Sequence, residues 1–175
     1  VELTEDLLKI LKIYPECLTA NHMMAMCYLS EGKNDKALEL ANVIIKNYPE
    51  VATGYVLKGD ALKRLARYDE AIHNYNNALD GCRENKKEIY KSIGYAYAAK
   101  KDSRNAYLFL KKGINIFSPE TTYQELWDLS TMALLSGKTD ESYTLLQFAS
   151  LIIPADDVEF SRKVKERLEH FPELK

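Results

Sequence analysis

The stretch Tyr55–Leu79, YVLKGDALKRLARYDEAIHNYNNAL, decides the fold. Its apolar residues recur at helical spacing, so it reads as two helices around a short break. Gly59 sits inside the first of them, where glycine costs roughly 1 kcal/mol relative to alanine. A glycine in an otherwise good helix is explained if another helix must approach at that point.

The same layout recurs along the chain. Pro15, Pro49 and Pro154 each close an apolar helical stretch, in ILKIYP, IIKNYP and SLIIP, and proline cannot continue a helix. The first two stand 34 residues apart, and Gly59 and Gly94 stand 35 apart. Asp35, Asp69 and Asp140 each open a second helix, where aspartate is expected to accept orphan amide hydrogen bonds and to favour the helix dipole. Ala37 and Ala71 follow two residues later, and Ser142 takes that place in the last unit. Gly32 and Gly137 mark turns that need positive φ.

These landmarks predict an all-α array, a single domain over 1–175, of about four helical hairpins at 18–51, 52–86, 87–122 and 123–156. Leu3–Tyr14 reads as the second helix of a hairpin whose first helix is missing, and the lack of an initial methionine suggests a fragment. Residues 157–175 are expected to form a capping helix and tail, since Asp156–Phe171 is amphipathic with a charged face. Small residues should line the crossings: Ala25, Gly59, Gly94 and Ser130 on first helices, with Ala37, Ala71 and Ala106 on second helices. Tyr28, Leu62 and Tyr97, three places after small ones, should fill the gaps between.

At this point the sequence resembles the tetratricopeptide repeat family. Tyr55, Gly59, Tyr68, Ala71, Tyr75 and Ala78 match its spaced pattern in the second unit. The third unit matches through Tyr90, Gly94, Tyr97 and Ala106, and the first through Ala25, Tyr28, Ala37 and Pro49. In the fourth, Leu126, Ala133, Gly137, Ala149 and Pro154 fit, while Ser130 and Ser142 replace the usual glycine and alanine. The second unit lacks a terminal proline, and Gly113 stands where the third would carry alanine. The resemblance implies a right-handed superhelical solenoid whose first helices line a concave groove. It also implies a non-enzymatic module that binds an extended peptide or helix of another protein, of scaffold or co-chaperone type.

Helical spacing then selects the residues facing away from the packing surface. They are Thr19, His22, Met26 and Leu29 or Ser30 in the first unit, and Val56, Asp60, Lys63 and Arg64 in the second. The third offers Lys91, Tyr95 and Ala98 or Ala99, and the fourth Gln124, Trp127, Thr131 and Leu134. His22, Met26, Val56, Tyr95 and Trp127 are candidate apolar anchors. Lys63, Arg64 and Lys91 form a candidate cationic spot, suited to a partner carrying acidic and bulky apolar groups. Alternatively these three are only solvated charges. Trp127, the sole tryptophan, is either an exposed anchor or buried under the following helix. The lysine, asparagine and arginine set by which one subgroup of the family holds a C-terminal carboxylate does not appear: His22, Met26, Leu57 and Tyr95 stand at its positions, and only Lys91 matches. Binding to the tail of a heat-shock chaperone is therefore disfavoured.

Other classes fare worse. His22 and Met26 share a helix face, but methionine at helical spacing is usually packing or adaptable surface rather than a Cu(I) ligand set. His73 and His170 are isolated, and no catalytic motif is present, so no cofactor, metal or enzyme activity is expected. The paired acids Asp69–Glu70 and Asp156–Asp157 fit helix starts. The third unit is basic through Lys87, Lys91, Lys100, Lys101, Arg104, Lys111 and Lys112, yet a net charge of −2 argues against nucleic acid as partner. Cys17, Cys27 and Cys82 lack C-x-x-C spacing and read as buried thiols, which favours a cytoplasmic protein. No apolar run reaches the roughly 20 residues of a membrane span. The alternative within binding modules is self-association through the Leu3–Tyr14 helix.

Overall fold

The computed structural model describes residues 2–82 and 86–171, which form ten α-helices and no strand. They are α1 (Glu2–Ile13), α2 (Leu18–Ser30), α3 (Asn34–Asn47), α4 (Ala52–Arg64), α5 (Tyr68–Gly81), α6 (Lys86–Ala99), α7 (Ser103–Gly113), α8 (Tyr123–Leu135), α9 (Thr139–Ile152) and α10 (Val158–Glu169). Pro15, Pro49 and Pro154 each stand two residues beyond a helix end, as a residue without an amide donor should.

The turns inside the hairpins share one backbone conformation. Gly32 and Gly137 have φ of 73° and 75°, each two residues before a second helix. Ala66 and Lys101 hold the equivalent places with φ of 59° and 65°. The turn geometry is therefore kept even where glycine is not available to make it cheap.

Capping differs from expectation. The residues preceding α3, α5 and α9 are Lys33, Arg67 and Lys138, and none caps with its side chain. Asp35, Asp69 and Asp140 instead lie in the first turn, where their charge favours the dipole. Among the described residues the side-chain caps are Asp102 on Asn105 N, Asp157 on Phe160 N, and a reciprocal capping box between Thr122 and Glu125.

The helices group into two compact units, Val1–Ala96 and Tyr97–Lys175. In the first, Leu7 of α1 packs on Ala20 and Met24, and a second cluster joins Ala25, Leu29, Ala37, Ala41, Ile44, Leu57 and Ala61. Ala25, Ala37 and Ala71 have no exposed surface, and Gly59 and Gly94 are buried too. What approaches Gly59 is the ring of Tyr75 from α5. Tyr48 at the end of α3 donates its hydroxyl to Glu16 O at 3.1 Å, 32 residues back. Tyr28 is only half-buried, whereas Leu62 is a core residue.

In the second unit, Leu126, Leu129 and Ala133 of α8, Leu145, Leu146 and Ala149 of α9, and Ala106 of α7 are buried. Ser130 and Ser142, which depart from the family pattern, meet each other: their Oγ atoms are 2.9 Å apart, and Ser130 Oγ also donates to Ser142 O at 3.0 Å. Tyr97 is half-buried and stacks on Phe109. Two tyrosines reach acids 34 residues ahead, Tyr107 to Glu141 and Tyr123 to Asp157. Helix α10 docks through Val164 against Leu146, with Phe160, Leu168 and Phe171 around it. This is the stripe that spacing of three to four residues places on one face.

Candidate partner-binding surface

On α2, His22 is half-buried and Met26 is 51% exposed, so a thioether faces solvent from a helix whose other methionine, Met24, is core. Thr19 and Ser30 are exposed. Leu29 is a core residue, so of the two alternatives at the end of this face the surface position is Ser30.

On α4, Val56 and Asp60 are half-buried. Asp60 is not simply offered to solvent. Its Oδ1 accepts the Tyr75 hydroxyl at 2.6 Å and stands 3.9 Å from Lys63 Nζ. Burial first, and then the Asp60 charge, push the Tyr75 pKa far up, so that hydroxyl stays protonated and donating. Arg64 is exposed, and no carboxylate among the described residues lies within ion-pair reach of it. On α6, Lys91 pairs with Glu88 at 2.7 Å, and Tyr95 is half-buried. The three cations are therefore unequal: Lys63 and Lys91 each have an acid on their own helix, and Arg64 carries the uncompensated charge.

In Tyr97–Lys175, Gln124 and Leu134 are exposed while Trp127 and Thr131 are half-buried. Trp127 packs against the cluster of Leu146, Val164 and Phe171, so the following helix α9 and α10 both contribute to its cover. Its ring meets Phe160 edge-on at 5.4 Å, and the Arg167 guanidinium lies 3.6 Å from its centroid. Arg167 Nη1 also donates to Thr131 Oγ1 at 2.7 Å. Phe160 and Arg167 escaped the sequence reading. The signal was available in part, since the α10 stripe carries an aromatic and a cation, but its register against α8 is a tertiary fact.

No group of three or more His, Cys, Asp or Glu among the described residues could hold a metal ion, and no described helix is long and apolar enough to cross a membrane. Cys17, Cys27 and Cys82 are half-buried, not fully buried, and none is in a disulfide.

Comparison with known proteins agrees with this architecture. The tetratricopeptide repeat family model matches residues 52–80, the stretch around Gly59. No curated protein sequence gives a significant match. Among solved structures, YrrB, described as a tetratricopeptide repeat protein with an unusual peptide-binding site, has a TM-score of 0.77 at 15% identity. That comparison covers 98% of this chain and 86% of YrrB. TTC0263, a thermophilic tetratricopeptide repeat protein of Thermus thermophilus, has a TM-score of 0.71 at 20% identity, covering 95% of this chain and 89% of its own. MamA has the same TM-score at 16% identity, covering 94% and 89%. The fold is that of tetratricopeptide repeat proteins.

Proposed function

We propose that this chain is a protein-interaction module that takes an extended or helical segment of a partner along the first-helix faces of Val1–Ala96. The observation that carries this reading is the division of α2, α4 and α6 into two faces. Small residues (Ala25, Gly59, Gly94) are buried for packing, while Met26, Val56, Arg64 and Tyr95 remain at least partly accessible on the other side. An adaptable thioether, an aromatic ring and an uncompensated guanidinium suit a segment that carries bulky apolar and acidic residues. The peptide-binding site described for YrrB supports the same use of the fold. The role is that of a scaffold or co-chaperone without a catalytic step, and thiols outside any disulfide fit a cytoplasmic setting.

The test is affinity capture from native cell extract with the wild type, Tyr95→Ala, Arg64→Glu, and the Lys63→Glu/Lys91→Glu pair, each checked for unchanged helicity. The variants should lose the partner that the wild type captures. Full retention by all of them places binding elsewhere.

A second reading rests on α1 and the residue that follows it, where Leu8, Ile13 and Tyr14 are 51%, 69% and 66% exposed. These side chains suit packing against a second copy of the chain. Sedimentation across a concentration series decides this; a constant monomer mass removes it.

A further inference from the structure

A separate site lies wholly within Tyr97–Lys175. Helix α10 covers Trp127 without closing onto the end of α8, and it leaves a cleft of about 660 Å³, a size typical of ligand sites. Trp127, Leu134 and Phe171 form its apolar wall, and Arg167, Lys163 and His170 line the rest together with Glu166.

The charges around this cleft are not balanced. Lys163 pairs with Glu159 at 2.7 Å and Glu166 with Arg162 at 2.9 Å. Arg167 has no carboxylate within reach among the described residues. Its contacts are the Trp127 face and the Thr131 hydroxyl, which occupies one of five N–H donors. Burial lowers its pKa, which marks a guanidinium partly stripped of water. A partly desolvated cation without a counter-charge is open to an incoming anion. Trp127 and Thr131 hold the head group in place, so its fork is preorganised for a bidentate carboxylate.

We propose that this cleft binds the C-terminal residue of a peptide, its carboxylate on Arg167 and a bulky apolar side chain against Trp127, Leu134 and Phe171. A C-terminal residue fits because its carboxylate and its side chain leave the same carbon, so one residue reaches both the guanidinium and the apolar wall. An internal glutamate would bring the charge without the apolar group. The proposal is independent of the surface on Val1–Ala96.

The sole tryptophan of the chain reports on the cleft directly. Trp127 fluorescence is titrated with acetyl-Ala-Ala-Leu as the free acid, with the same peptide as its carboxamide, and with N-acetyl-leucine. The free acid should give a saturable change, with the carboxamide at least about tenfold weaker, as loss of a charge-assisted hydrogen bond implies. Arg167→Gln should remove that preference. The acid–amide comparison on the unaltered protein stands even if the variant misfolds. No response, equal response to acid and carboxamide, or a preference that survives in a folded Arg167→Gln protein overturns the proposal. N-acetyl-leucine binding as tightly as the tripeptide overturns the peptide assignment in favour of a small apolar carboxylate. The readout involves none of Lys63, Arg64, Lys91 or Tyr95, so failure of the first surface leaves it unaffected.

Discussion

The ring of Tyr75 occupies the space that a side chain at position 59 would need. A Cβ on Gly59 would stand 2.5 Å from Tyr75 Cε1 and 2.7 Å from Cδ1, closer than carbon atoms pack. The glycine is thus half of a pair, and the other half is a fully buried tyrosine anchored by its hydroxyl to Asp60 on the helix it covers. Gly59→Ala should destabilise the protein by about 1–3 kcal/mol through overpacking, although helix propensity alone favours alanine by about 1 kcal/mol. In a Tyr75→Leu background the same change should be neutral or stabilising. Chemical denaturation of the four proteins in this cycle reads out the reversal of sign.

The serines at positions 130 and 142 behave as one substitution spread over two helices. Each has no exposed surface, and each supplies the other with a hydrogen-bond partner. Ser130→Ala should cost about 1 kcal/mol by stranding the Ser142 hydroxyl, Ser142→Ala less because Ser130 keeps the carbonyl of residue 142, and the double variant less than their sum because no hydroxyl is then left without its partner. Strict additivity in denaturation experiments would contradict the pairing.

Ala66 and Lys101 hold left-handed backbone that glycine occupies in the other two hairpins. Both are exposed. The conformation costs a residue with Cβ about 1–2 kcal/mol, and glycine returns part of that gain through its more flexible unfolded chain. Ala66→Gly and Lys101→Gly should each stabilise by about 0.5–1 kcal/mol, raising Tm by about 2 °C in calorimetry.

Glu141 sits between Lys111, at 2.6 Å, and the Tyr107 hydroxyl. Burial acts to raise its pKa, but the bonds from Lys111 and Tyr107 together outweigh it, and the net shift is downward from 4.5. A carboxylate whose folded-state pKa is depressed adds stability above its unfolded value and loses it as pH falls through the folded one. Glu141→Gln should therefore be less stable than wild type at pH 7, with the gap narrowing as pH drops below about 4.5. Urea midpoints at pH 7, 5 and 3 measure this, and a gap of constant width would show that the charge contributes nothing.

Much of the fold was legible in the sequence because its signals are local backbone chemistry. Pro15, Pro49 and Pro154 stop helices wherever they occur, and small residues at a 34-residue period are needed for close crossings in any surroundings. Local signals misled where one turn mattered. Asp35, Asp69 and Asp140 were expected to cap, but they lie past the cap in the first turn, and the capping box of Thr122 and Glu125 passed unnoticed. The surface was less legible. Spacing puts Asp60 and Lys63 on one helix face, yet the engagement of Asp60 by Tyr75 depends on how α5 lies over α4. Arg167 on Trp127 joins residues 40 apart through the docking of α10, which no helical period encodes.

The central claim is that the first-helix faces of Val1–Ala96 carry the partner. Photo-crosslinking residues placed one at a time at Met26 and Arg64, and at Glu39 and His73 on the second helices, test it most directly, since all four positions are exposed. Irradiation in native extract, followed by mass spectrometry of the adducts, should yield one partner segment joined to positions 26 and 64 and none at 39 or 73. Adducts confined to 39 and 73, or spread equally over all four, would contradict the account.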